Sequence, residues 1–143
     1  MTQQHGVVPA GVRDLVSPYG GYRVDIEDEY DTNVGEMIEE ATEADRADVG
    51  IVGIPFDAGC VAGPRGSRAG PTGVREKLTH GTCYNPEIDV DISEGIAVAD
   101  YGDVDAEQTD LPATHDRVER VLTAITRSGV VPFSIGGDHS LTY

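Results

Sequence analysis

Two glycines, an aspartate, a histidine and a serine follow one another at residues 136–140, near the end of the sequence. Imidazole is a good ligand for Mn, Zn, Fe and Ni, and a neighbouring carboxylate can orient the ring. His139 is therefore a candidate metal ligand. The alternative is a helix start that Asp138 or Ser140 caps, in which the histidine has no chemical role.

Three carboxylates lie close together at Asp100, Asp103 and Asp105, and such a set could bind a hard cation. Acidic residues are common throughout this chain, however, so we favour ordinary loop residues as the interpretation. In that case Asp100 and Asp103 would shape the local turn through hydrogen bonds to the backbone.

A glycine-rich loop with two arginines, Arg65 and Arg68, precedes a predicted helix. Backbone N–H groups at a helix N-terminus attract anions, so this loop could hold a phosphate. Its glycines, Gly63, Gly66 and Gly70, lack the G-x-G-x-x-G spacing, and no Gly-Lys-Ser/Thr sequence ends the loop. We expect the arginines to pair with carboxylates of this chain or to contact a neighbouring subunit. A phosphate- or nucleotide-binding domain is the alternative function.

The other histidines and the two cysteines form no second catalytic group by spacing alone, so no catalytic residue is assigned. His115 begins a long predicted helix beside its apolar stripe, and we expect it to pack there, away from residues 136–140. Cys60 and Cys83 match neither a disulfide framework nor a zinc pattern. Without a signal peptide, two reduced thiols indicate a reducing, cytoplasmic compartment.

Short apolar runs that predict strands precede the three candidate sites, at 49–55, 96–100 and 130–135. Strands joined through helices by short connections form parallel sheets, which indicates an α/β fold. In open α/β sheets, ligands bind beyond the carboxyl ends of the strands. That rule selects the loop after Asp57 and the two other sites described above.

Apolar side chains at helical spacing predict the clearest helix, which starts at Asp110 and stops at Gly129: Val118, Val121, Leu122 and Ile125. A second helix is predicted at 71–80, beginning with a proline. Farther upstream, residues 34–44 are expected to form an acidic helix, and the charge run at 25–31 a solvated loop.

The chain is strongly acidic, with 26 acidic residues against 10 basic ones and a net charge of −16. Such a charge repels nucleic acid and anionic membrane surfaces, so neither is expected as a partner. The sequence also has no apolar run of the roughly 18 residues that a transmembrane helix requires. Lys77 is the only lysine. An acidic composition with scarce lysine favours a halophilic protein, because salt must screen the repulsion between its charges.

Five segments, in the same order, resemble motifs of the ureohydrolase family, which contains the arginases and agmatinases. They cover about residues 49–143 and are Gly-Ile-Pro-Phe-Asp at 53–57, Gly-Ser-Arg-Ala-Gly-Pro at 66–71 with Val74 and Arg75, Tyr-Asn-Pro at 84–86, Asp-Tyr-Gly-Asp-Val at 100–104 and Gly-Gly-Asp-His-Ser at 136–140. The third segment is typical of the agmatinase and guanidinobutyrase branch, so the chain resembles agmatinases in particular.

The resemblance implies a three-layer α/β/α sandwich with a mainly parallel sheet. It also implies two Mn²⁺ ions bridged by a hydroxide that attacks a guanidinium carbon, so that agmatine yields urea and putrescine. By resemblance, His139 is a ligand of one manganese ion, and Asp138 at most supports that ligand without binding the ion. The loop around Arg68 would frame the site or a subunit contact.

The resemblance is to the N-terminal half of the family, because the later D-A-H-x-D and D-x-D-x-x-D motifs, with the remaining metal ligands, are not in this sequence. We therefore expect an acidic arm with a possible helix at 1–47 and an incomplete ureohydrolase-like domain at 48–143. Alone, the chain is expected to be inactive. When complete, it would bind a small guanidino substrate such as agmatine and form a homo-oligomer. A non-catalytic remnant of a ureohydrolase is the remaining alternative.

Overall fold

The structure is a computed structural model that describes residues 6–24, 29–61 and 65–142. Part of the charge run at 25–31 and Gly63 of the glycine-rich loop lie outside the described residues. The expectations for them stay predictions.

Strands of the described residues form one five-stranded sheet and one two-stranded sheet. They are β1 (Val16–Ser17), β2 (Ile38–Glu40), β3 (Val49–Ile54), β4 (Tyr84–Asn85), β5 (Val90–Asp91), β6 (Val98–Val104) and β7 (Val131–Gly136). The α-helices are α1 (Val34–Met37), α2 (Gly70–Leu78) and α3 (Leu111–Arg127). Short 3₁₀ segments occur at Ala10–Leu15, Ser67–Ala69, Ile92–Glu94 and His139–Leu141.

The large sheet has the strand order β1, β6, β3, β7, and β2 also pairs with β6. The β2–β6, β3–β6 and β3–β7 pairs are parallel, whereas β1 pairs with β6 in the antiparallel direction. Helix α2 connects β3 to β6, and α3 connects β6 to β7. The predicted α/β fold with a mainly parallel sheet is therefore confirmed.

Helices α2 and α3 lie on opposite faces of β3. Successive side chains of a strand point to opposite faces of the sheet. A Cβ atom added to Gly53 would lie 2.8 Å from Nη1 of Arg75, on α2. The next residue, Ile54, lines a cavity together with Val118 of α3. The described residues thus form the three layers that the resemblance implied.

Three of the four residues of the apolar stripe predicted for α3 are buried, and Leu122 is half-buried. Val121 and Ile125 are fully buried, and Val118 is 8% exposed. The Asp110 side chain accepts a hydrogen bond from the amide of Ala113, 2.9 Å away, and so caps the start of the helix. The helix and both of its predicted ends are confirmed.

Strand β6 is longer than the strand predicted at 96–100, because it continues to Val104. The reason is a partner remote in sequence: Ser17 and Val16 of β1 pair with Asp103 and Val104. Gly102 has a φ of +80° and packs against the Ser17 carbonyl, where a Cβ would lie 2.0 Å from the oxygen. Asp100 and Asp103, which were predicted as loop residues, are therefore part of the sheet, whereas Asp105 follows it.

The acidic helix predicted at 34–44 is wrong. Helix α1 ends at Met37, after a capping box in which Asn33 and Glu36 bind each other's backbone amides. The chain then extends into β2, whose three residues pair in parallel with Val98–Asp100 of β6. Pairing with the sheet outweighs the weak local helix propensity.

Parts of the predicted arm at 1–47 join the same sheet as β3, through β1 and β2. Five of its apolar residues are buried in the core, namely Val8, Val12, Ile38, Ala41 and Ala44. The division of the chain at residue 47 itself stays a prediction. Among the described residues, no helix is both long and apolar enough to cross a bilayer.

Candidate functional site

The end of β7 lies against the end of β3, and this contact requires a glycine. Ile54 and Gly136 are in register, and beyond them the amide of Asp138 donates to the carbonyl of Phe56, at 2.9 Å. A Cβ on Gly137 would lie 1.9 Å from that carbonyl oxygen. Gly137 therefore lets the chain turn closely past β3, which places Asp138 and His139 at the carboxyl end of the sheet.

Asp138 caps the 3₁₀ turn at His139–Leu141. Its Oδ1 accepts hydrogen bonds from the Ser140 amide at 2.9 Å and from the Ser140 hydroxyl at 2.5 Å. Its Oδ2 is buried and has no hydrogen-bond partner in the described part of the chain. Burial raises the pKa of Asp138, but the Ser140 hydroxyl and amide and the nearby Gly59 and Cys60 amides lower it by more, so the net pKa is lowered. The capping role predicted as one alternative is confirmed for Asp138.

His139 begins this capped turn and is exposed to solvent. Its Nδ1 lies 3.5 Å from the hydroxyl of Thr142, at the limit of a hydrogen bond. The described residues contain no group of three His, Cys, Asp or Glu side chains that could hold a metal ion. His139 is therefore accessible to an ion but has no companion ligands there, and its assignment as a metal ligand stays a prediction.

His115 is closer to this site than the sequence analysis expected. Its Nε2 lies 2.8 Å from the backbone carbonyl of Ser140. The expectation that His115 packs away from residues 136–140 is wrong, because α3 passes beside the end of β7. Periodicity placed the residue near the apolar stripe but carried no information on which loop the helix passes.

Gln108 and Arg68 hold the end of β3. Gln108 donates from Nε2 to the carbonyl of Pro55 at 2.6 Å and accepts from the amide of Asp57 at 3.3 Å. The Asp57 side chain is 2% exposed, and its Oδ2 lies 3.3 Å from Nε of Arg68 without making a well-formed hydrogen bond. The expected pairing of Arg68 with a carboxylate is confirmed, whereas Gln108 carried no signal in the sequence.

Arg75 occupies the second candidate site, at the end of β6. Its Nε and Nη2 donate to the two oxygens of Asp100 at 2.7 and 2.8 Å, and its Nη1 donates to Asp103 at 2.6 Å. Burial lowers the pKa of Arg75, but the bonds to Asp100 and Asp103 raise it by more. Asp105 pairs separately with Arg117, at 2.9 Å. Two of the three carboxylates thus bind a guanidinium group instead of a hard cation.

The predicted local role of Asp100 is confirmed as well, since its Oδ1 accepts from the Gly102 amide at 2.8 Å. Tyr22 donates its hydroxyl to Oδ2 of Asp100 at 2.5 Å, and the ring of Tyr19 lies 4.8 Å from Cζ of Arg75. Burial raises the pKa of Tyr22, and the hydrogen bond to Asp100 raises it further. Sequence reasoning missed Tyr22, and it recorded Arg75 only as part of a matching segment.

Residues 47–143 match the profile of the arginase family. The chain belongs to the arginase family. This arginase-family chain is 36% identical over 102 residues to the mitochondrial agmatinase of Gallus gallus. The aligned region covers 71% of the chain and 30% of that protein. It is 34% identical over 119 residues to the formimidoylglutamase of Halobacterium salinarum, covering 83% of the chain and 37% of that protein.

Solved structures of the family also match. The structure of Trypanosoma cruzi formiminoglutamase with Mn²⁺ aligns with a TM-score of 0.66 at 30% identity, over 78% of this chain and 37% of that one. The arginase-family chain therefore spans about a third of the length of the curated relatives it matches. The membership implied by the five segments and the family fold are both confirmed.

Proposed function

We propose that the chain belongs to a manganese-dependent ureohydrolase that cleaves a C–N bond of a linear guanidino compound, with agmatine as the favoured substrate. The observation that supports it is the exposed His139 on a capped turn at the carboxyl end of β7, in a chain of the arginase family. An imidazole and the hard oxygen ligands of a carboxylate-rich protein suit Mn²⁺.

His139 would hold one manganese ion, and the other ligands would come from residues outside the described set. A bound ion of this kind supplies a hydroxide nucleophile at neutral pH. The residues that the structure describes would hold this ligand in position. Asp138 holds the turn, Gly137 allows its close approach to β3, and Gln108 holds the strand end beside it. With one ligand, the 143-residue chain alone should bind Mn²⁺ only in the millimolar range and have no activity.

Agmatine is favoured by the Tyr-Asn-Pro segment at 84–86 and by the match to the Gallus gallus agmatinase. The second candidate is formimidoylglutamate. It is supported by the match to the Halobacterium salinarum enzyme, which covers more of the chain at nearly the same identity. A cytoplasmic location fits Cys60 and Cys83, which are not joined in a disulfide. Assembly into a homo-oligomer is also part of the proposal.

The test uses the chain extended by whatever coding sequence follows Tyr143, purified in molar KCl with Mn²⁺. Urea and formamide release would be measured with agmatine, 4-guanidinobutyrate, arginine and formimidoylglutamate. We expect urea release, fastest with agmatine. Turnover of formimidoylglutamate alone would establish the second candidate. Release from none of the four compounds, together with binding of a labelled nucleotide, would replace the hydrolase with the nucleotide-binding alternative.

A further inference from the structure

His115, on α3, contacts the turn that carries His139. Its Nε2 lies 2.8 Å from the carbonyl oxygen of Ser140, one residue after the candidate metal ligand. A carbonyl oxygen only accepts hydrogen bonds, so Nε2 donates and carries the hydrogen. A side chain of the long helix therefore binds the backbone of the turn directly.

Helix α3 is held in place on both sides of His115. Thr114, the residue before His115, is fully buried, and its hydroxyl donates to the carbonyl of Glu107 at 3.0 Å. Val118, about one turn farther along, lies in the core at 8% exposure. Because the backbone on both sides of His115 is held, its ring acts from a fixed position.

The turn at His139–Leu141 is held only weakly by its own backbone. The Leu141 amide lies 3.5 Å from the Asp138 carbonyl, and the Thr142 amide lies 3.2 Å from the His139 carbonyl. Both distances are at or beyond the long end for N–H···O bonds. Asp138 caps the start of the turn. Asp138 also binds the amide and the hydroxyl of Ser140, in the middle of the turn, and the bond from His115 adds the restraint on the Ser140 carbonyl.

We propose that His115 is a positioning residue, which orients the ring of His139 by holding the carbonyl of Ser140. The inference rests on the proposed function, in which His139 binds a metal ion, and it extends that function to a residue outside the five matching segments. Without the bond from His115 the Ser140 carbonyl is less restrained, so ordering the turn opposes ion binding and the affinity falls.

The test compares the variants His115→Gln, His115→Leu and His80→Leu of the 143-residue chain in molar KCl. Glutamine keeps an N–H donor near the position of Nε2, whereas leucine has a similar size and no donor. His80 is exposed just after α2 and serves as the control for loss of a histidine. NMR would follow the ring signal of His139 during titration with MnCl₂, because bound Mn²⁺ broadens nearby signals. Hydrogen exchange of the Leu141 and Thr142 amides reports on the turn without metal.

In His115→Leu, we expect that about ten times more Mn²⁺ is needed to halve the His139 signal than in the parent chain. Loss of a supporting contact has an effect of this size in metal sites. The same variant should exchange the Leu141 and Thr142 amides faster, whereas His115→Gln and His80→Leu should match the parent chain. If the leucine variant does not fold, His115→Asn replaces it with the same expectation, because its shorter amide does not reach Ser140.

Two failures can be told apart. If Mn²⁺ broadens the His139 signal equally in the parent and in His115→Leu, and the exchange rates are equal too, the positioning role is wrong while the metal assignment holds. If millimolar Mn²⁺ does not broaden the His139 signal of the parent chain, the millimolar binding stated in the proposed function is wrong, and the positioning role is overturned with it.

Discussion

Arg75 and Asp100 form a two-point ion pair inside the molecule, with distances of 2.7 Å from Nε to Oδ2 and 2.8 Å from Nη2 to Oδ1. Both side chains are completely buried. The pair joins α2, which follows the glycine-rich loop, to β6, and the hydroxyl of Tyr22 binds the same carboxylate. Three segments that are far apart in sequence are held at this point.

Replacing Arg75 with methionine is expected to lower the free energy of unfolding by about 3–5 kcal/mol, because Asp100 loses its partner inside the core. Urea unfolding in molar KCl would measure it. Arg117→Met is the matched control, since its pair with Asp105 is partly exposed and is expected to contribute less than about 1 kcal/mol. Equal losses in the two variants would show that the buried ion pair contributes no more to the free energy of unfolding than the partly exposed one.

Gly53→Ala is expected to destabilise the chain by about 1–3 kcal/mol, the range for overpacking a core. The added Cβ would lie 1.8 Å from Oδ1 of Asp103. Gly73→Ala, in the exposed part of α2, should instead stabilise it by up to about 1 kcal/mol, because alanine favours a helix and no described atom lies within 4 Å of the new Cβ. Thermal melts of both variants check the opposite signs. A stabilised Gly53→Ala would mean that Arg75 and Asp103 are not packed as described.

Sequence patterns predicted the parts of the fold that depend on local periodicity. Strand β3, helix α3 and strand β7 repeat apolar residues at spacings that a single segment reveals. The extension of β6 to Val104 and the pairing of β2 depend on partners some 60–90 residues away, Val98–Asp100 for β2 and Val16–Ser17 for β6. No pattern within 34–44 or 100–104 contains those partners, so these elements could not be predicted.

The candidate site divides in the same way. The type and spacing of Asp138 and His139 pointed to the end of β7, where the structure has them. The contact of His115 with Ser140 depends on the path of α3 across the sheet. The ion pair of Arg75 depends on three segments meeting. Neither contact can be predicted from a short stretch of sequence.

Asp138 should make stability depend on pH in the acid range. Its pKa is lowered in the folded chain, so its contribution to the free energy of unfolding is fully present above the unfolded pKa, near pH 4, and is lost as the pH falls through the lower folded value. Asp138→Asn keeps an acceptor and cannot titrate. The difference in unfolding free energy between parent and variant should be constant above about pH 5 and shrink below about pH 4. A difference that stays constant down to pH 2 would contradict the lowered pKa.

Salt should be needed for folding, because the net charge of −16 opposes compaction until it is screened. Circular dichroism melts in KCl from about 0.1 M to 3 M would measure the effect. We expect the cooperative transition to weaken at the low end and the melting temperature to rise with salt. The same cooperative melt at all concentrations would exclude the halophilic interpretation.

Manganese-dependent release of urea from agmatine, measured for the extended enzyme and its His139→Ala variant, tests the central claim most directly. His80→Ala is the control, since His115 contacts the same turn and cannot serve as one. We predict that His139→Ala lowers the rate more than about 100-fold, which is a larger loss than replacing a residue that only supports a ligand causes. The variant should also bind less Mn²⁺ per chain, while His80→Ala keeps the parent rate. A His139→Ala enzyme with the parent rate and the parent metal content would contradict the assignment of His139 as a manganese ligand.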